Sequence, residues 1–272
     1  MKLHRNYTFS NNRQIWRIVP GGEGKLVIEE RDPVTREVFF SCIEMNTGKV
    51  LLDSLQFDEK FWIGIEDVYK DVILFHKYHK PDMPWHSGII AYDINKKVQL
   101  WNSEEFIFSL VYDNILYCYK NKYEGRSYCK LNYKTGELIA DIGENSNVIA
   151  GLKELRDTEI YNGYKFPATL SRSSVEIAEI FDSRMMSDEV ITGKIDYLNI
   201  NGLLLTSYHR VLNDGKLQNC FKALDIRLKK VIFKEILNKE ITNFIPDSFF
   251  LINDLIFLLK EKEKLFVFLI TD

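Results

Sequence analysis

Apolar residues in this chain fall in short runs, rich in β-branched and aromatic side chains. The clearest are residues 25–28, 38–40, 72–75, 89–92 and 115–118, and later 203–205, 255–259 and 265–270. Runs this short read as strands, because a helix needs ten or more residues to bury a face. Turn-forming residues separate them at Asn46-Thr47-Gly48, Glu124-Gly125, Lys134-Thr135-Gly136 and Asn213-Asp214-Gly215. The pattern predicts an all-β chain made of antiparallel hairpins.

One phrase of strand, turn and returning strand recurs. Its fullest form runs from Ala91 to Trp101, with Asp93 in third place and a large apolar residue at the end. The same spacing places Glu44 third in a copy at 42–52, Asn132 third in one at 130–140, and Asp225 third in one ending at Phe233. A fifth copy fits residues 6–16, ending at Trp16, with Thr8 third. A second phrase, a strand ending at a polar turn followed by an apolar strand, appears at Tyr69-Lys70-Asp71-Val72, Tyr112-Asp113-Asn114-Ile115, Ile200-Asn201-Gly202-Leu203 and Ile252-Asn253-Asp254-Leu255. Units of about four strands repeating every 40–50 residues or so are the period of propeller blades.

The phrase A-x-D-x-x-T-G-K-x-x-W resembles the tryptophan-docking repeat of quinoprotein-like β-propellers, relatives of the WD40 repeats. Ala91, Asp93 and Trp101 match it, Lys96-Lys97 replace its Thr-Gly, and Thr47-Gly48-Lys49 and Thr135-Gly136 supply that half elsewhere. The whole chain is also similar to uncharacterised bacterial propeller families of unknown function. The resemblance covers most of the chain outside about 145–195 and implies a scaffold, not a chemistry. Quinone chemistry is not expected, because members with that activity carry adjacent cysteines and Cys42, Cys118, Cys129 and Cys220 are all apart.

Spacing of the copies sets the expected blade number. The interval from position 140 to 233 is about twice the others, which predicts one degenerate blade in between and six four-stranded blades in all. Thr158-Glu159-Ile160-Tyr161 and residues 175–181, with Asp182 near the acid position, are the candidate strands. The alternative is five blades and an inserted helix, capped by Ser173-Ser174 with Val175, Ala178, Phe181 and Met185 on one face. The last unit lacks strands and the first copy opens on an unpartnered return strand, Gln14-Ile15-Trp16. Pairing the N- and C-terminal strands would repair both and close the ring of a single domain spanning 1–272.

Composition narrows the surroundings. Hydrophobic residues are 46% and aromatic residues 13%, enough for a packed core, and the formal net charge is −3. No basic excess points to nucleic acid. No apolar stretch is long enough for a membrane helix, the N-terminus carries no leader-like apolar region, and no CxxC pair signals zinc or redox chemistry. A reduced, cytoplasmic, monomeric protein is expected, a secreted form requiring a leader not seen here.

Candidate chemistry is sparse. His76, His79 and His86 lie in a segment with Asp82, two prolines and Trp85, and are the only metal-ligand candidates. Residues three apart on a strand face opposite ways, so the segment reads as an ordered structural or partner-contacting loop, with no metal and no cofactor expected. Glu44, Asp93 and Asp225 share one repeat position, which suits carboxylates that accept backbone N–H bonds in turns better than catalysis. Trp16, Trp101 and Phe233 read as packing between blades. Lys120, Lys122, Arg126, Lys130 and Lys134 alternate with Tyr117, Tyr119, Tyr123, Tyr128 and Tyr133, as on an exposed hairpin. No catalytic constellation emerges. The sequence points to a module that binds a protein or small ligand. A hydrolase or lyase, with residues from several blades meeting at the axial channel, is the alternative.

Overall fold

The computed structural model describes residues 2–80, 83–171 and 191–271, and for residues 79, 80, 83, 84 and 171 the backbone alone. Its contacts gather into two compact units, Arg13–Asn162 and Met1–Asn12 with Gly163–Asp272. After β1 (Lys2–Phe9), the first of these units holds three sheets, each a four-stranded antiparallel meander in chain order. They are β2 (Gln14–Gly21), β3 (Lys25–Arg31), β4 (Val38–Glu44) and β5 (Val50–Leu55); then β6 (Ile63–Tyr69), β7 (Val72–Lys80), β8 (Met83–Asp93) and β9 (Val98–Ser103); then β10 (Ile107–Tyr112), β11 (Ile115–Lys122), β12 (Gly125–Asn132) and β13 (Leu138–Gly143). This is the strand arrangement of β-propeller blades. One helix, α1 (Ser146–Ile160), ends the unit.

In the other unit, β15 (Ala168–Ser171), β16 (Ile191–Ile200), β17 (Leu203–Val211), β18 (Leu217–Asp225) and β19 (Lys230–Ile241) form one five-stranded sheet. The second contains β14 (Tyr164–Lys165), β20 (Phe249–Ile252), β21 (Leu255–Lys260), β22 (Lys264–Thr271) and β1. The two ends of the chain thus pair, from Lys2 opposite Thr271 to Phe9 opposite Leu265.

Burial explains which strands stand out in the sequence. The second and third strands of a sheet are covered on both faces: β3 is buried from Lys25 to Glu30, and Val72, Ile73, Leu74 and Phe75 of β7 are fully enclosed. Such strands read as unbroken apolar runs. First and fourth strands are less covered: β2 mixes buried with exposed positions, and β13 has no buried residue. Cores form between neighbouring sheets within each unit. Val27, Phe40 and Cys42 meet Ile63, Ile65, Phe75 and Tyr92, and Phe221 and Leu237 meet Phe249, Ile256 and Phe268.

The repeat positions have local tasks. Asp93 Oδ1 accepts the Lys96 N–H at 2.8 Å, Asp225 Oδ1 the Leu228 N–H at 2.9 Å, and Asn132 Oδ1 those of Lys134 and Thr135 at 2.9 and 3.2 Å. Glu44 departs from the expected backbone N–H acceptance: it is exposed and accepts the Thr47 hydroxyl. Trp101 reaches into the next sheet, its Nε1–H donating to the Tyr133 carbonyl at 3.0 Å. Phe233 packs between the sheets of its unit, 4.8 Å from the Phe268 ring and 6.2 Å from Phe221.

Three expectations are corrected. Residues 6–16 are not a hairpin: β1 ends one sheet and β2 begins another, so the strand that joins the C-terminal sheet is 2–9 and not 14–16. Trp16 consequently sits on a first strand and is 58% exposed, where packing was expected. Thr158–Tyr161 is no strand but the end of α1, which Asn145 caps through the Val148 N–H and where the Thr158 hydroxyl donates to the Glu154 carbonyl one turn back. The described residues hold five sheets, and α1 fills the start of the stretch expected to carry a sixth. The helix drawn from Ser173 to Met185, the strand at 175–181 and Asp182 lie outside the described residues. No described helix is long and apolar enough to cross a membrane.

Candidate functional site

The described residues of the histidine segment lie on strands and not in a loop. Strand β7 runs to Lys80 and β8 starts at Met83, pairing Tyr78 with His86 and Lys80 with Met83, while Pro81 and Asp82 lie outside the described residues. His76 and Tyr78, two apart on β7, share a face, and His86 stands directly opposite Tyr78 on that same face. The backbone therefore brings His76 and His86 together. Their rings stack with centroids 3.5 Å apart and planes 13° from parallel. Tyr78 packs edge-on against both, at 4.8 and 5.6 Å. The His79 side chain lies outside the described residues.

A third group arrives from β6. Each first strand of the three-sheet unit carries a bulge against its second strand, between Ile15 and Arg17, Ile65 and Asp67, and Phe108 and Leu110. A bulge leaves one residue unpaired and re-aims its side chain. In β6 that residue is Glu66, whose Oε1 lies 2.7 Å from His86 Nδ1. The next residue, Asp67, is buried and pairs instead with Arg156 of α1. Opposite His76 in the β6–β7 register is Gly64. A Cβ there would stand 2.7 Å from His76 Nε2 and 3.6 Å from Glu29 Oε2, so the glycine provides the space the imidazole occupies.

The electrostatics divide the two imidazoles. His76 is buried, and burial holds its pKa down at about 4, so its ring is neutral at pH 7. Its Nδ1 faces the Lys77 carbonyl at 3.4 Å, an acceptor only, which places the proton on Nδ1 and the lone pair on Nε2. His86 is over a third exposed, at 37%, and shares a hydrogen bond with a carboxylate. Glu29, on β3 of the adjoining sheet, is 2% exposed; burial pushes its carboxyl pKa up, against the opposing pull of Arg31 at 3.3 Å and Arg17. Burial and the nearby Glu29 likewise raise the Tyr78 hydroxyl.

Aromatic groups rim this cluster. Trp16, at the β2 bulge, lies beneath the Arg31 guanidinium, 4.2 Å from its ring, and Trp62 packs edge-on against Tyr78 at 6.0 Å. Trp62 is 41% exposed. Arg31 Nε is buried with no hydrogen-bond partner among the described residues. Chemically, the site joins a neutral imidazole, a carboxylate-linked imidazole and a buried carboxyl. Such groups can transfer a proton, orient a polar ligand or hold an ion, and the donor atoms of Glu66, His76 and His86 all lie within 4.8 Å of one another.

Sequence reading found His76 and His86 but not Glu66, Glu29, Arg31, Trp62 or Gly64. One signal was present. Gly64 interrupts an apolar strand between Ile63 and Ile65, and an isolated strand glycine marks a bulge or close approach. The tyrosine–lysine hairpin, by contrast, pairs its own groups: Arg126 lies over Tyr119 at 4.3 Å, Lys130 over Tyr117 at 5.7 Å and Lys134 over Tyr133 at 5.6 Å. Gly22–Gly24 forms a 3-10 turn between β2 and β3 of one sheet.

A family model described as a domain of unknown function, DUF4905, matches residues 19–101, which include Glu29, Arg31, Trp62, Gly64, Glu66, His76, Tyr78 and His86. No curated protein matches the chain. Among solved structures the chain is similar to the Dos1 propeller, with 9% identity over 98% of this chain and 95% of that one and a TM-score of 0.41. It is also similar to the uncharacterised protein lmo1340 from Listeria monocytogenes EGD-e, with 12% identity over 91% and 65% and a TM-score of 0.32. The tricorn protease follows at 10% identity, 94% and 29% coverage and a TM-score of 0.31.

Proposed function

We propose that the protein is a cytoplasmic binding module that takes a small polar ligand at the site formed by β2, β3 and β6–β8. One observation carries this reading: Trp16 and Trp62 stay exposed beside a cluster of buried ionisable groups. Tryptophan and arginine supply large contact area at little cost in side-chain entropy, and they dominate binding surfaces for that reason. Polar groups beside exposed indoles suit a ligand with an apolar face for Trp16 and Trp62 and hydroxyl or charged groups for Glu29, Arg31 and His86.

The test is a thermal-shift screen of soluble metabolites and short oligosaccharides against the whole chain. A hit is expected to raise the melting temperature of the parent protein and to lose that effect in Trp16→Ala and in Trp62→Ala. A panel without hits, or hits indifferent to both substitutions, would overturn the reading.

A second reading, a hydrolase or lyase, is favoured by Glu29. A buried carboxyl with a raised pKa near a neutral imidazole is a candidate general acid. Turnover of a screened ligand that is abolished in Glu29→Gln, with binding retained, would establish this reading in place of simple binding.

A further inference from the structure

We propose that Glu66, His76 and His86 hold one divalent transition-metal ion of the zinc class, with at least one coordination position open towards the tryptophan rim. Three adjacent strands contribute one donor each, so the set is built by the sheet and not by a mobile loop. Two imidazoles and a carboxylate are the donor set of zinc sites that keep a place for water or ligand. Imidazole nitrogen favours zinc, copper or nickel over calcium or magnesium, which take oxygen donors.

The distances are close to what an ion requires. Metal bonds of about 2.0–2.1 Å put tetrahedral donors roughly 3.3 Å apart. His86 Nδ1 and Glu66 Oε1 are already 2.7 Å apart, and one donor atom from each of the three residues lies within 4.8 Å of the other two. The rings are parallel, so their in-plane lone pairs converge only if one ring turns. The partly exposed His86 is the one able to do so, while His76 is buried and oriented by the Lys77 carbonyl. A backbone carbonyl on the far nitrogen is the usual support of a ligating histidine. Two cations nearby would oppose an ion, but Arg31 is turned to Glu29 and Trp16, and Arg17 donates to the Ile65 carbonyl.

That the open position receives a donor atom of the small ligand rests on the reading above; the ion itself does not. The experiment is calorimetric titration of the chelator-treated full chain with zinc chloride. One zinc per chain is expected. His86→Ala, at a position exposed enough to leave folding intact, and Glu66→Gln should each weaken zinc binding by more than about 100-fold, beyond the 10–100-fold typical of losing an outer-shell partner. Substituting the exposed His4 by Ala should leave binding unchanged, and circular dichroism should show every variant folded. Absence of zinc uptake, or uptake that survives in both site variants, overturns the assignment. The two readings fail separately: a screened ligand that binds the Trp16–Trp62 rim without zinc uptake removes the ion alone. Zinc uptake with no ligand found removes the small-ligand reading alone.

Discussion

The imidazoles of His76 and His86 lie face to face, 3.5 Å between centroids, although the two residues belong to different strands of one hairpin. The stack exists because β7 and β8 remain paired well beyond the apolar part of the sheet, and because the residue across from His76 has no side chain. The charge-bearing face of the hairpin therefore depends on Gly64 as much as on the histidines.

Gly64→Ala is the direct check on that dependence. A methyl group 2.7 Å from His76 Nε2 must displace the ring or the strand. Overpacking of this kind costs about 1–3 kcal/mol. Urea denaturation should show the loss, and an unchanged midpoint would mean that the ring does not occupy that space.

Trp101 and Gly136 provide a pair that can be tested as a cycle. A Cβ at Gly136 would lie 2.7 Å from the indole, and its φ of +72° is left-handed as well. Trp101→Ala should cost about 2–4 kcal/mol, somewhat under the range for fully buried tryptophan because this ring is only partly buried. Gly136→Ala should cost about 1–3 kcal/mol through clash and backbone strain. The double variant should fall short of the sum by roughly 0.5–3 kcal/mol, since removing the indole removes the clash. Strict additivity would show that the two residues do not touch.

His209 makes stability depend on pH. Its Nε2 accepts the Ile245 N–H at 3.1 Å, which only the neutral ring can do, and burial lowers its pKa below the ordinary 6.5, with Asp196 pulling the other way. The unfolded chain therefore takes up a proton first as pH falls. The stabilisation is complete above about pH 6.5 and declines as pH drops below it towards the folded value. The denaturation midpoint should fall between about pH 7.5 and about pH 5.5, less so in His209→Gln. Equal slopes in the two proteins would remove His209 as the cause.

All four cysteines are buried thiols. Burial pushes the Cys42 thiol up to about 12 and raises Cys118 and Cys129 as well. Cys118 and Cys129 face each other across β11 and β12, with Cys118 Sγ donating to the Cys129 carbonyl. Thiolates are scarce under these conditions, and the folded protein should resist a thiol reagent at neutral pH until guanidinium exposes all four groups. A thiol that reacts at once in the folded state would contradict this burial.

The sequence by itself determined the all-β class, the meander hairpins and the turn chemistry of Asp93 and Asp225, but not that of Glu44, which accepts a side-chain hydroxyl instead of a backbone N–H. These are local matters: a strand covered on both faces must be apolar throughout, and a side chain capping its own turn needs only its neighbours. It also placed Trp101 by its spacing from Asp93. Tertiary structure alone decided which sheet each terminal strand joins, and that Thr158–Tyr161 would be helix, anchored through Arg156 to Asp67. It likewise decided the membership of the site. Glu66 looks like any surface acid until a bulge turns it towards His86, and Glu29 reaches the cluster from a different sheet. Such meetings depend on register and on packing between sheets, which span dozens of residues and leave no periodic trace in the chain.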